Sequence, residues 1–372
     1  MDFSKWVLPY VRNIPVYQPG KPISETAREI GIDEDDIIKL ASNENPIGVS
    51  NEVYDALLDS LKEAFRYPDG NGFSLKQEIS ELHQVSMDQV LLGNGSNEIL
   101  ELVSLACLAP GYSVVYSQYA FAVYALMTEA RGAEGICVPA KNFGHDLNGI
   151  VSAIRPDTKL VVIANPNNPT GTYITKDQFY AFMKEVPSQV LVLMDEAYYD
   201  YLDPQLRFDT ISWTTEFQNL VVCRTLSKAY GLAGLRMGYA IGHAELISLF
   251  NRVRQPFNTN LLAQVAALAA LRDKDFIERS YEVNRLGKAQ LYAGLAELGL
   301  SYIESQGNFI MFKVPKADRV FNELLESGII VRPLTGYGLP DYLRVTIGLQ
   351  TENDKFLQVL GTIVKRGDTK HS

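Results

Sequence analysis

The 372-residue sequence predicts a large α/β domain with a mainly parallel seven-stranded sheet flanked by helices, followed by a smaller α+β domain. Three observations lead there. The chain is longer than one hydrophobic core usually serves. Seven short apolar runs ending in turn residues alternate with helix-length segments over residues 89–241, the rhythm of strand, crossover helix and parallel strand. Beyond about residue 258 that rhythm gives way to helices and a few shorter strands.

Taken in order, residues 1–45 carry several prolines and read as an extended arm that packs on the small domain or on a partner. Residues 46–269 form the large domain and 270–372 the small one. The seven runs are 89–92, 112–116, 135–138, 160–164, 189–194, 220–223 and 237–241. Between the first two, residues 97–109 place Ile99, Leu102, Val103 and Ala106 at helical spacing, after Gly93-Asn94-Gly95-Ser96 and before Pro110-Gly111. That helix therefore starts at a glycine-rich turn. Residues 261–271 are alanine-rich and helical, and a polar amphipathic stretch follows to about Gly299. Strands at 309–312, 329–331 and 342–347, with a last helix at 353–365, complete the smaller domain.

Composition bounds the function. Thirty-four basic against forty-four acidic residues give a net charge of −10, which opposes a general nucleic-acid or anionic-membrane surface, so an anionic ligand must meet a local positive pocket. Cys107, Cys137 and Cys223 each sit in an apolar run without paired spacing, as free thiols do in a reducing compartment, and the cytoplasm is the expected location. The first residues lack a basic region followed by a long apolar core, and 261–271 falls short of a membrane span. His83, His145, His243 and His371 are scattered without ligand spacing, so no metal is expected. No Gly-x-Ser-x-Gly elbow points to a serine hydrolase.

The chemistry concentrates in Thr225-Leu226-Ser227-Lys228-Ala229-Tyr230-Gly231-Leu232-Ala233-Gly234-Leu235-Arg236, directly after an apolar run. A lysine that becomes an imine must spend time neutral, which burial and nearby positive charge favour, while Thr225, Ser227 and Arg236 are suited to a phosphate dianion. Pyridoxal 5'-phosphate needs both. Asp195 closes the run 189–194, at the sheet edge where open α/β sheets bind ligands, and a carboxylate there keeps a pyridine nitrogen protonated. A strand-end acid or a helix cap is the structural alternative. Tyr198 and Asn168, the latter in Asn165-Pro166-Asn167-Asn168-Pro169-Thr170-Gly171, are the candidate donors to the cofactor's phenolic oxygen, against a plain Asn-Pro turn. Gly95, Ser96 and Asn97 offer backbone N–H groups at a helix start for the phosphate. As a dinucleotide fingerprint the turn is incomplete, because the third glycine is absent. Tyr119 is placed either to stack on the cofactor ring or to pack.

From Asn43-Glu44-Asn45-Pro46 to Leu343-Arg344-Val345-Thr346 the sequence resembles the fold-type I pyridoxal-phosphate aminotransferases, and within them the histidinol-phosphate aminotransferase group. The resemblance implies the fold type I architecture. It makes Lys228 the Schiff-base and proton-shuttle residue, and pairs Asp195 with the pyridine nitrogen. Asn168 and Tyr198 then serve the phenolic oxygen, and Ser227, Arg236, Gly95 and Ser96 the phosphate. It further implies a homodimer in which Tyr67 of Arg66-Tyr67-Pro68 reaches the neighbour's phosphate, and a cis bond before Pro169.

The implied reaction is transamination in alternating half-reactions between pyridoxal and pyridoxamine phosphate. Histidinol phosphate and 2-oxoglutarate would give imidazole acetol phosphate and glutamate, in histidine biosynthesis. Arg344, alternating with apolar neighbours, suits a substrate carboxylate or an ion pair with a nearby acid. Arg332 and Tyr17 are placed to receive a substrate phosphate, and Asn45 is a further substrate-binding candidate. Transamination of aromatic amino acids is the second expectation, and decarboxylation of a phosphorylated amino acid the third.

Overall fold

The computed structural model describes residues 1–17 and 20–368; Gln18 and Pro19, which follow Tyr17, and His371 lie outside the described residues. The strands among them are β1 (Ile38–Lys39), β2 (Val90–Gly93), β3 (Ser113–Ser117), β4 (Glu134–Val138), β5 (Thr158–Ala164), β6 (Leu191–Asp195), β7 (Leu220–Thr225), β8 (Gly238–Ile241), β9 (Tyr302–Ile303), β10 (Phe309–Lys313), β11 (Ile329–Ile330), β12 (Arg332–Pro333) and β13 (Tyr342–Thr346). All seven expected runs of the large sheet are strands, with ends displaced by no more than two residues.

The large sheet has the order β2-β8-β7-β6-β5-β3-β4, parallel except for β8, which runs antiparallel to both its neighbours. Parallel strands covered on both faces must be apolar on both. β5 shows how this is met: Val161 and Ile163 enter one core with Phe179, Phe182 and Ala266, while Leu160, Val162 and Ala164 enter the other with Ile99, Leu102 and Tyr124. The helix Ser96–Cys107 starts at Gly95, whose φ of +79° lies in a region that glycine adopts at little cost, so the turn presents its N–H groups at the sheet edge.

The second sheet is antiparallel, in the order β12-β13-β10-β9, under the helices Lys274–Glu297 and Gln350–Asp368. Leu291, Phe312, Leu343 and Phe356 fill the core between them. The N-terminal segment joins this body, because β1 pairs in parallel with β11 and Ala27 of the helix Ile23–Ile30 packs on Ile330. Its first residues reach the other way: a Cβ at Gly132 would lie 2.7 Å from the Tyr10 ring. No helix among the described residues is long and apolar enough to cross a membrane.

Candidate active site

β5, β6 and β7 run side by side and end at one edge of the sheet, so the segments that follow them converge on a single pocket. Asn168, Asp195, Tyr198, Thr225, Ser227, Lys228 and Arg236 all line it. Ser96 and Asn97 close one end, and Tyr17, Arg332 and Arg344 the other.

Lys228 lies in the turn after β7, where the Gly231 N–H donates to its carbonyl at 3.0 Å. Gly231 has a φ of +73°, and a Cβ there would stand 2.0 Å from the Gly48 carbonyl oxygen, so only glycine lets the turn close against the N-terminal segment. The Lys228 Nζ donates to the Ser42 carbonyl at 2.9 Å. Burial, with Arg344 and Arg236 nearby, brings its pKa down to about 8 against the pull of Glu44 and Asp195. A neutral amine is therefore within reach near neutral pH.

Asp195 ends β6 on the face shared with Leu191 and Leu193, and it is buried. Burial pushes its carboxyl above the usual range. Against this, Oδ2 accepts from the Tyr124 hydroxyl at 2.7 Å and Oδ1 from the Ala197 N–H at 3.1 Å, bonds that favour the carboxylate. Glu196 faces away, into a buried pair with Arg224 at 2.9 Å that also takes the Thr210 hydroxyl. The Arg224 guanidinium lies 3.7 Å above the Tyr199 ring.

In the pocket lining, the buried Arg344 donates through Nη1 to Asn168 Oδ1 at 2.5 Å and through Nη2 to the Ala41 carbonyl at 2.7 Å. The amide of Asn168 is thereby oriented, with Nδ2 left as its donor. Both Asn165–Pro166 and Asn168–Pro169 are cis peptides. Among the described residues nothing accepts the buried Arg344 Nε–H, an orphaned donor on a residue that lines the pocket. Arg332 and Arg344 stand opposite each other in the β12–β13 pairing, and the Arg332 guanidinium lies 6.0 Å from the Tyr17 ring centre.

The far end is shaped for an anion. Arg236, at a φ of +62°, donates to Ser227 Oγ at 3.2 Å, and a Cβ at Gly95 would lie 2.6 Å from its Nη2. Gly238 keeps the strand equally close, since a Cβ there would stand 2.6 Å from the Ser96 nitrogen.

Four sequence-derived candidates sit elsewhere than the pocket lining. Tyr119 turns away, its ring stacked on Phe143 at 5.9 Å and its carbonyl held by Asn167, while Phe121 lines the pocket. Asn45 donates to the Ala229 carbonyl at 2.8 Å and to Ser280 at 2.9 Å, so it ties the lysine turn to a helix, and Asn43 faces the pocket. Gly95 contributes through its backbone beside Arg236. Tyr67 is 81% exposed and stacks on Phe257 at 4.7 Å, outside this chain's own pocket. Tyr124 and Tyr337, which the sequence reading missed, also line it. Tyr124 was detectable as an apolar-face residue of a helix, but nothing local to it signals a bond to an acid 71 residues on.

Comparison with known proteins agrees with this geometry. Residues 35–360 match the family of class I and II aminotransferases. The histidinol-phosphate aminotransferase of Methylobacillus flagellatus is 55% identical over 95% of this chain and 96% of its own length. Histidinol-phosphate aminotransferase 2 of Nitrosospira multiformis is 53% identical over 94% of this chain and 90% of its own. Among solved structures, the histidinol-phosphate aminotransferase of Sinorhizobium meliloti in complex with pyridoxal-5'-phosphate superimposes with a TM-score of 0.88 at 24% identity, covering 97% of this chain and 98% of that one. The Clostridium acetobutylicum histidinol-phosphate aminotransferase gives 0.82 at 25% identity over 89% and 100%. The chain belongs to the class I and II aminotransferase family.

Proposed function

We propose that this chain is a pyridoxal-phosphate-dependent transaminase that moves the amino group of histidinol phosphate to 2-oxoglutarate, yielding imidazole acetol phosphate and glutamate in histidine biosynthesis. Its relatives at 53% and 55% identity over nearly the whole chain support the activity. The observation within the molecule that carries the substrate reading is the pair Arg332 and Arg344, facing one another beside Tyr17. Two guanidinium groups opposite each other on paired strands make this end of the pocket cationic, which suits an anionic substrate.

The residues present fit the cofactor. A lysine of lowered pKa, a buried carboxylate and an anion cradle that would not tolerate a Cβ at Gly95 or Gly238 share one pocket. When bound, pyridoxal phosphate supplies the electron sink that makes the substrate Cα–H acidic. We assign Ser96, Asn97, Thr225, Ser227 and Arg236, with the backbone of Gly95, to its phosphate, and Asp195 to its pyridine nitrogen. Asn168 and Tyr198 are assigned to its phenolic oxygen. Phe121 takes over the ring contact expected of Tyr119. Lys228 both anchors the cofactor and carries the substrate Cα proton at its Nζ, a role open to an amine that is partly neutral near pH 8. Arg344 receives the carboxylate of 2-oxoglutarate or glutamate, and Arg332 with Tyr17 the phosphate of histidinol phosphate.

We read residues 46–269 as the cofactor-binding domain, 270–372 as the smaller domain and 1–45 as the arm. The enzyme is placed in the cytoplasm as a homodimer, with Tyr67 and the exposed Phe65 and Phe73 at the interface and Tyr67 completing the partner's phosphate site. The test compares histidinol phosphate with phenylalanine as amino donor to 2-oxoglutarate in the loaded enzyme. A clear preference for histidinol phosphate is expected; equal rates would favour aromatic transamination, and release of carbon dioxide a decarboxylase.

A further inference from the structure

Asn43 is 1% exposed and lines the pocket, yet the reaction as described gives it nothing to do. Its hydrogen bonds are unusually complete. The backbone N–H donates to Thr346 Oγ1 at 3.0 Å, and that hydroxyl donates back to the side-chain Oδ1 at 3.2 Å. The backbone carbonyl accepts from Asn308 Nδ2 at 3.1 Å. This leaves Nδ2, which donates to the Tyr198 hydroxyl oxygen at 2.9 Å. The Thr346 hydroxyl thus donates to the oxygen end of the amide, and the nitrogen end is the one presented to Tyr198. The backbone itself sits at a φ of +55°, a left-handed conformation that Asn tolerates better than most residues.

An amide N–H aimed at the Tyr198 oxygen decides where the tyrosine's own proton goes. The hydroxyl rotor cannot point its hydrogen back at a donor, so it turns to the other side. We propose that Asn43 is a positioning residue for Tyr198, holding the hydroxyl proton toward the pocket, where the cofactor's phenolic oxygen would accept it. Burial raises the Tyr198 pKa to about 12, so the proton to be aimed is present throughout the working range. The anchors Thr346 and Asn308 belong to β13 and the approach to β10, whereas Tyr198 follows β6 of the large sheet. Asn43 thus ties the seating of the smaller sheet to the direction of one proton.

This inference rests on the reading of Tyr198 as a donor to the cofactor, and the experiment separates the two. The readout is the pH midpoint of the absorption change of bound pyridoxal phosphate, with no substrate, in wild type, Asn43→Gly, Tyr198→Phe and the double variant. Glycine suits the left-handed backbone while removing the amide. A donor on the phenolic oxygen favours its charged form, so Tyr198→Phe is expected to move the midpoint upward. Asn43→Gly should move it the same way by about half a pH unit, the scale of one neutral hydrogen bond, and the double variant should match Tyr198→Phe alone. An unmoved midpoint in Asn43→Gly, or shifts that add in the double variant, overturns the proposal. An unmoved midpoint in Tyr198→Phe removes the tyrosine's role and with it that of Asn43. Should Asn43→Gly fail to fold, Thr346→Val frees the amide instead; it should give a smaller shift that vanishes in the Tyr198→Phe background, and no shift overturns the assignment.

Discussion

Burial with the nearby arginines shifts Lys228 toward its neutral form, and at Asp195 burial pushes the carboxyl upward while bonds from Tyr124 and Ala197 pull it back toward the carboxylate. Lys228→Ala should retain pyridoxal phosphate through Arg236 and Asp195 but turn over at least about a hundredfold more slowly, the usual range for losing a positioned acid–base group; single-turnover absorbance checks this. Tyr124→Phe deletes the hydroxyl bonded to Asp195 Oδ2, which frees the carboxyl to drift upward in pKa. A loss of about tenfold in turnover with little change in KM is expected from steady-state kinetics. Arg332→Met should raise KM for histidinol phosphate by about ten- to a hundredfold and leave phenylalanine nearly untouched. Which residues could be read from the chain depended on distance. Lys228, Asp195 and Arg236 were legible because each lies at a strand end with a distinctive local setting. Asn43 was not, since its meaning comes from Thr346, 303 positions away. Of the two readings of Tyr119, ring stacking or packing, the structure shows it packed on Phe143, because the strand alternation stops at Ser117 and the turn beyond it sets the side chain's direction.

At the scale of elements, the strands of the large sheet were readable because both their faces are apolar, which sets short uninterrupted runs apart from amphipathic helices. The smaller sheet was harder. β9, β11 and β12 are two-residue strands, too short for any period to register, and the pairing of β1 with β11 joins segments from opposite ends of the sequence. Two elements behind the pocket make firm demands. Gly231→Ala would drive a Cβ into the Gly48 carbonyl at a positive φ, and should cost about 2 kcal/mol or more in denaturant-unfolding free energy. Arg224→Met would strand the buried Glu196 carboxylate between β6 and β7, an expected loss of about 3 kcal/mol by the same measurement, whereas pairing it with Glu196→Met should recover much of that loss.

For the molecule as a whole, charge and pH act together. The protein carries −10 overall, yet Lys228, Arg236, Arg332 and Arg344 meet in one pocket against Asp195. The pocket is thus a local setting for an anionic ligand on a chain whose net charge opposes polyanions. Two partly buried imidazoles contribute to the pH dependence of stability. His145 accepts from Ser117 through Nδ1 at 2.6 Å and donates through Nε2 to the Ala164 carbonyl at 2.8 Å, an arrangement the neutral ring satisfies. Burial lowers its pKa from 6.5 to about 4, and that of His83 to about 3. With the folded value depressed, the unfolded chain binds more protons, so this stability is present above about pH 6.5 and lost as the pH falls through about 4. Urea midpoints taken between pH 7 and pH 4.5 should fall accordingly, and His145→Gln should flatten that slope.

The bonds from Asn43 to Thr346 and from β1 to β11 also fix an order of events during synthesis. A ribosome releases Asn43, which lines the pocket, 303 residues before Thr346 of the strand that holds it. The pocket therefore stays unfinished until β13 has emerged, and loading with the vitamin-derived coenzyme becomes a step that follows the synthesis of that strand.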